Sequence, residues 1–489
     1  MRPKGTRFPQ ELKKKPLAPS AAPVLSLKST MKRRLRKKIG AAILLAILIL
    51  AALIYAPVWD TAPPDVADLA VVRTEVPPEE NAYTFFLQAT NALRRRADGL
   101  LSQYRQGLTN DDVEVSATLA TNQPVITWIR LGVERRHCQL PVVGKWRPWI
   151  VTDLPISDFL EIGRLLAAQA RFERIQGRMS EATDAALLLM RYGSRLQHAS
   201  GLIVEYLVAS AVVSMGVTQA EDLARDMRCG AEERERLIAG LAELESTGAG
   251  WANVVRGESL FTADMLRQSK AGTTIQYDFV YGIESGLKRS LLSLLGRALC
   301  FSSYFFQYNR THHWIVDDYR LLIAHVSSTY VDHPLRDRDM APGNVVSEDS
   351  TRDTAFRRPP SHETRWPFAN ALGLRFWNAQ RKTLDSVVRN ACRMELHVSA
   401  TRLLLACRAY EEATGHLPET LEALVPDHLP AAPRDPFDGQ PFRYSAERRL
   451  VYSVGENLAD DGGTGDERPG RWWREKDLVF NLAAREPEP

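Results

Sequence analysis

One stretch of the chain stands apart from the mixed apolar and polar pattern around it. Ile39–Ala56 contains only Ile, Leu, Ala, Gly and Tyr. A helix needs roughly 18 apolar residues to cross a hydrocarbon core of about 30 Å, and this run just reaches that length. Lys32, Arg33, Arg34, Arg36, Lys37 and Lys38 precede it, Pro57 ends it, and Trp59 suits the headgroup zone. The pattern predicts a single transmembrane helix over 39–56. A cleaved signal has a shorter apolar core and a small-x-small site, which Ile54-Tyr55-Ala56 supplies poorly. The basic block is the kind retained on the inner side. Residues 1–38 are therefore expected to be a basic cytoplasmic tail, with the bulk of the chain beyond a bacterial inner (cytoplasmic) membrane. Residues 1–30 lack periodicity and are expected to be disordered. Met31 directly before the basic block resembles a natural start, which leaves open whether the first thirty residues are translated.

Beyond the anchor, Pro57, Pro63, Pro64, Pro77 and Pro78 predict an extended linker over 57–80. A helical domain is then expected over 81–333. Ala82, Phe85, Phe86, Ala89 and Leu93 recur at spacings of three and four within Asn81–Arg96, which marks one helical face. Thr109–Ile150 is less regular, with Pro124, Pro141 and Pro148 as breaks. Asp158–Ile175, Ala182–His198 and Leu202–Leu223 follow as three helices with short Gly-containing turns, with Ser180 as the expected cap of the second. The first two are similar to one tetratricopeptide-like unit, without a clear second copy. Ala231–Glu245 and Trp314–Tyr330 add two more helices. Leu287–Phe306 is apolar but carries Lys288, Arg289 and Arg297, whose insertion costs about 2.5–3.5 kcal/mol each at depth. It is expected to be a buried or surface-lying helix. Pro334–Pro367 is charged and aperiodic, and 334–367 is read as an inter-domain linker.

Charge adds an asymmetry. Of the 63 Lys and Arg, 13 lie in residues 1–38 with a single acid, leaving 50 basic against 58 acidic residues in the remainder. The basic balance belongs to the tail, so no nucleic-acid partner is expected for the folded part. Five scattered cysteines and no Cys-x-x-Cys argue against a disulfide framework or a zinc ribbon. Cys392 and Cys407 are expected on one helix about 22 Å apart, too far to pair. None of the phosphate-loop, nucleophile-elbow, zincin or dinucleotide motifs is present. His313 and Asp317 share a helical face without a third ligand, and His325, His333 and Asp332 form a weaker cluster.

The region 368–489 is the most informative. A helix is expected over Phe376–Thr414, ended by Gly415 as a left-handed cap. A short helix at Pro418–Val425, a turn at Asp435–Gly439 and strands at Pro441–Tyr444, Leu450–Val454 and Asp477–Asn481 complete a small α+β module. The order Leu404-Leu-Ala-Cys-Arg-Ala-Tyr410, Gly415-His-Leu-Pro418, Leu421-Glu-Ala-Leu-Val425, Leu429-Pro430, Asp435-Pro-Phe-Asp-Gly439, Tyr444, Tyr452-Ser-Val-Gly455, Asp460-Asp-Gly-Gly463 and Asp477-Leu-Val479 resembles the globular part of the major pseudopilins of type II secretion systems. It covers roughly Val398–Phe480, and the combination is more specific than any single motif. The resemblance implies a Ca2+ site in the loop after the second strand. Asn457, Asp460, Asp461, Asp466 and Asp477 are the candidate ligands, hard oxygen donors of the kind calcium takes. The loop departs from the family where Asn457 replaces the usual Asp and where Arg468–Trp473 enlarges it. Trp472-Trp473 is expected to cap the small sheet.

A larger departure lies in the anchor. Pseudopilins carry a Gly-Phe-type processing site and an early Glu, whereas Lys38-Ile39-Gly40 opens an apolar run without an acid. This chain is not expected to be processed or packed as a pseudopilin. The fold class expected is mainly α: one N-terminal transmembrane helix, a helical-bundle middle domain, and a pilin-like α+β head. The expected function is protein–protein interaction or assembly, with the membrane contacted through Ile39–Ala56. An envelope enzyme with its site assembled in the helical domain is the alternative.

Overall fold

The computed structural model describes residues 24–55, 60–71, 75–94, 99–140, 155–245, 249–271, 304–336, 370–465 and 476–483. The chain separates into two compact units, Met1–Val58 and Trp59–Pro489. In the first, helix α1 runs from Val24 to Tyr55 without interruption over 32 residues. Its start corrects the expectation of disorder for residues 24–30. Once the apolar run forms a helix, adding residues is cheap and Lys and Arg are good helix formers. The large apolar side chains from Ile39 to Leu50 are exposed, Leu45 by 59%.

The second unit opens on a segment expected to be a bare linker. It instead carries single 3-10 turns at Ala67–Leu69 and Pro78–Glu80, and Leu69 is buried. Asn81 then caps α2 (Ala82–Ala92), its side-chain oxygen accepting the Tyr83 N–H at 3.2 Å. Helices α3 (Leu100–Arg105), α4 (Asp112–Thr121) and α5 (Gln123–Val133) follow. The last two lie where the sequence pattern looked irregular. Pro124 does not break α5 because it sits in the first turn, where no backbone N–H has a helical partner.

Helices α6 (Ile156–Ile175), α7 (Met179–Ala199) and α8 (Ile203–Arg225) pack on one another in antiparallel succession. Tyr192 of α7 donates to the Phe159 carbonyl near the start of α6, at 3.4 Å. Arg174 near the end of α6 meets Asp226 just after α8 at 3.4 Å, with both side chains buried. Gly193 lets α7 approach α8 closely, since a Cβ there would fall 2.7 Å from the Val213 nitrogen. Ser180 lies inside α7 rather than capping it; Arg178 holds the cap position, and its side chain pairs with Glu173 instead of capping the helix. Among the described residues α8 is long and apolar enough to cross a membrane, but half of its apolar window is buried inside this unit.

Helix α9 (Ala231–Glu245) occupies its expected span, and α10 (Ala249–Ala271) was not anticipated. The next helix, α11 (Tyr308–Ala324), begins six residues before the expected Trp314. Its early start has a distant cause: Asp60 accepts the Asn309 N–H at 2.7 Å and the Arg310 N–H at 3.1 Å. The segment 287–303, the linker beyond 336 and Trp472-Trp473 lie outside the described residues.

Helix α12 (Ala371–Thr414) runs 44 residues and ends on Gly415, whose φ of 79° is the left-handed cap expected from the sequence. Cys392 and Cys407 both lie on it, buried and free. A 3-10 turn at Leu421–Leu424 replaces the expected short helix. Strands β1 (Arg443–Ser445), β2 (Leu450–Ser453) and β3 (Leu478–Asn481) form an antiparallel meander in the order β1-β2-β3.

The elements on either side of the expected 334–367 boundary share one hydrophobic core. Trp314 of α11 meets Trp377 of α12 at 5.9 Å between rings. Tyr330 packs edge-on against Phe437, and the Tyr330 and Val331 N–H groups bond the Pro436 and Phe437 carbonyls at 2.9 Å each. Helix α12 also packs on α8 and α9. A helix with buried residues along its whole length cannot belong to the small module alone.

Candidate functional site

The turn Asp435–Gly439 organises the loop that follows β2. Asp435 is fully buried and accepts the Phe437 N–H at 2.9 Å and the Val454 N–H at 3.2 Å, which ties the turn to the end of β2. Arg443 joins Asp435 to Asp438, at 3.4 and 2.6 Å. Just beyond β2, Glu456 is buried between Arg389, at 3.3 Å, and Arg393. Asp385, one helical turn before Arg389, pairs with it at 3.1 Å. Buried carboxylates and guanidiniums in such a chain satisfy one another and fix how the loop leaves α12.

The predicted cation ligands are brought together in part. Asn457 donates to Asp461 at 3.3 Å and accepts the Ala459 N–H at 3.2 Å. Asp460 accepts from the Gly462 N–H at 2.9 Å and the Tyr452 hydroxyl at 3.2 Å, with Arg443 at 3.8 Å from its other oxygen. Gly462 and Gly463 adopt φ of 69° and 71°, the left-handed values that let the chain curl there. Asp477, 1% exposed, accepts the Gly463 N–H at 2.7 Å through Oδ2. Its Oδ1 is buried and has no hydrogen-bond partner among the described residues. Burial raises the Asp477 pKa above the usual carboxylate value, the Gly463 and Asp461 N–H groups work against this, and the charges of Asp460 and Asp461 add to it. Asp466 lies outside the described residues.

One participant carried no sequence signal. Arg448, in the β1–β2 turn, donates to the carbonyls of Gly462 and Gly463, the latter at 2.8 Å. A guanidinium thus occupies two oxygens that an ion could otherwise use. Among the described residues no group of three His, Cys, Asp or Glu side chains is arranged to hold a metal. The loop fits a cation at one point, the orphaned Asp477 oxygen, because a buried unpaired carboxylate oxygen is costly until a proton or an ion satisfies it.

The candidate histidines have other partners or stack on one another. His313 bonds the Ala62 carbonyl at 2.9 Å, and Asp317 pairs with Arg320 at 3.5 Å. His333 meets His325 edge-on at 6.1 Å, and burial, with the neighbouring His325 second, pushes its pKa down to about 4. In the helical region a small pocket of about 20 Å³ is lined mainly by apolar groups such as Phe159, Leu196 and Val208, with Tyr83, Ser200 and Glu205 at its polar part. Glu205 spends one oxygen on the Gly201 and Leu202 N–H groups, at 2.6 and 3.2 Å. Glu258 accepts the Ile203 N–H at 3.1 Å. Both carboxylates serve the start of α8. Comparison of the chain with family models, curated proteins and solved structures returns no match.

Proposed function

We propose that this chain is a single-pass membrane-anchored envelope protein, with a cytoplasmic N-terminus and an extracytoplasmic helical scaffold that binds protein partners. The observation that carries the reading is α1, where a basic block leads into apolar side chains exposed from Ile39 to Leu50. A helix apolar on every side needs an apolar solvent, and a bilayer supplies one. The scaffold part is supported by the antiparallel run α6–α8, of which α6 and α7 form the tetratricopeptide-like pair. A long helix followed by a three-stranded meander accords with a pseudopilin-like head. Calcium binding in its loop is part of the same reading, supported by the unpaired Asp477 oxygen.

Fractionation of cells expressing the full chain tests the anchor. The protein should stay in the membrane pellet after alkaline carbonate, and alkaline phosphatase fused after Pro489 should be active. Release by carbonate, or an inactive fusion on a stable protein, removes the anchor or its orientation. Crosslinking before solubilisation should then recover discrete protein partners.

A further inference from the structure

Helix α3 packs against α6, and arginines gather where its last turn meets that helix. Arg171 of α6 lies over the Tyr104 ring at 5.5 Å and donates to Asn110 at 3.3 Å. Arg174 pairs with Asp226. Arg164, two turns before Arg171 and so on the same face of α6, pairs with Glu161 at 2.9 Å. Arg105, the last residue of α3, is different. It is half-buried, and among the described residues it has no hydrogen bond, ion pair or ring contact. Its Nε is buried without a partner, as is the Nε of Arg164.

The charge that acts on Arg105 has its own sign. Burial first, and the Arg164 charge second, hold the Arg105 guanidinium below its ordinary pKa. A half-buried cation facing another cation is unfavourable until an anion joins them. The acids near the end of α3 are committed elsewhere. Asp112 accepts the Tyr104 hydroxyl at 2.6 Å and the Gln176 amide at 2.8 Å, and Asp111 caps α4. The terminal nitrogens of Arg105 are not enclosed, and the Arg164 side chain is 35% exposed, so a ligand in solution can reach both.

We propose that Arg105 and Arg164 form a binding site for a carboxylate, supplied by a small organic acid or by an acidic side chain of a bound peptide. With Glu161 balancing Arg164, the pair keeps one positive charge, which a single carboxylate cancels. Its two coplanar oxygens also match the fork of a guanidinium. Only the peptide source rests on the partner-binding reading above; the small-acid source is independent of it.

The test uses the full chain in an uncharged detergent at constant ionic strength. Saturation-transfer NMR reads acetate, and fluorescence anisotropy reads a labelled oligoglutamate peptide with both ends capped, against its oligoglutamine counterpart. Acetate, the oligoglutamate or both should bind, and the oligoglutamine should not. Acetate binding assigns the site to small acids as well, whereas binding of the peptide alone assigns it to acidic side chains. Arg105→Gln should weaken binding by about tenfold or more, the loss of one charge-assisted contact. Arg191→Gln, which removes an exposed arginine of α7, should leave it unchanged. Binding of neither probe, or equal binding by the Arg105 variant, overturns the site. Displacement of the carboxylate by a lower concentration of inorganic phosphate overturns the choice of ligand. Without ligand, Arg105→Met should melt no lower than the wild type, because it removes a charge that has no partner. A clear fall in its melting temperature would mean that Arg105 serves the fold, and would also overturn the site.

Discussion

Asp477 sets one carboxylate oxygen on the Gly463 N–H and leaves the other buried without a partner among the described residues, under the charges of Asp460 and Asp461. An ion at this point would add binding free energy to folding. The full chain should melt at a higher temperature in millimolar calcium than in chelator, and Asp477→Asn should abolish the difference. In chelator the variant should melt no lower than the wild type, because it removes a buried charge. Calorimetry showing no calcium effect on the wild type would remove the ion from the loop. Glu258 poses a separate question of pH. Burial raises its pKa to about 7 from 4.5, the Ile203 N–H opposes this, and the Glu205 charge adds to it. The folded chain thus holds the proton more tightly than the unfolded one. The resulting stabilisation is full below pH 4.5 and is lost as pH rises through 7. Glu258→Gln should raise the urea midpoint at pH 8 relative to wild type and leave it unchanged near pH 4. An equal gain at both pH values would mean that charge is not the cause. The acids and glycines of the loop were legible in sequence because oxygen donors among glycines form a recognisable cluster. Arg448 was not, since its bonds go to backbone carbonyls 14 and 15 residues away, and nothing in its neighbours marks that reach.

At the scale of elements, hydrophobic spacing served wherever a helix has one buried face. Asn81 at the start of α2, the span of α9 and the Gly415 stop of α12 could all be read directly. Helix α10 escaped notice because its buried Trp251, Val254, Val255 and Leu266 are diluted by polar residues that also pack, such as Ser259 and Thr262. Thr262 bonds the Tyr319 hydroxyl at 2.8 Å, and Gln380 reaches both at 3.1 Å, a buried network across three helices. The start of α11 could not be found locally, because its cap lies about 250 residues away in the chain. Replacing that cap should cost about 1 kcal/mol. Asp60→Ala should speed hydrogen exchange in the first turn of α11 while leaving α6 and α7 unchanged. Uniform acceleration across the unit would argue for a global loss instead.

For the molecule as a whole, the expected division into a middle domain and a separate terminal module does not describe the packing. The two share a core through α12, and the hydrogen bond between His397 and Glu221 at 2.9 Å joins that helix to α8. Arg225, at the end of α8, donates to the Asn481 carbonyl of β3 at 3.1 Å. Sequence reading separated them because the aperiodic stretch 334–367 looks like a boundary, whereas packing across it leaves no local trace. A fragment spanning 368–489 should therefore lack a cooperative melting transition, as Trp377, Leu384 and Val388 would lose their partners. A sharp, reversible melt of that fragment would restore the module as an independent domain.

The length of chain between α8 and α12 also sets a timetable for biosynthesis. Helix α8 ends at Arg225, and the helix that covers part of its apolar surface begins only at Ala371. At about 5–20 residues per second, that partner emerges on the order of ten seconds later. Throughout this interval the nascent chain presents to its surroundings the part of α8 that α12 will cover. A holding chaperone should bind ribosome-stalled chains that end before 371, and should release them once the remainder has been made.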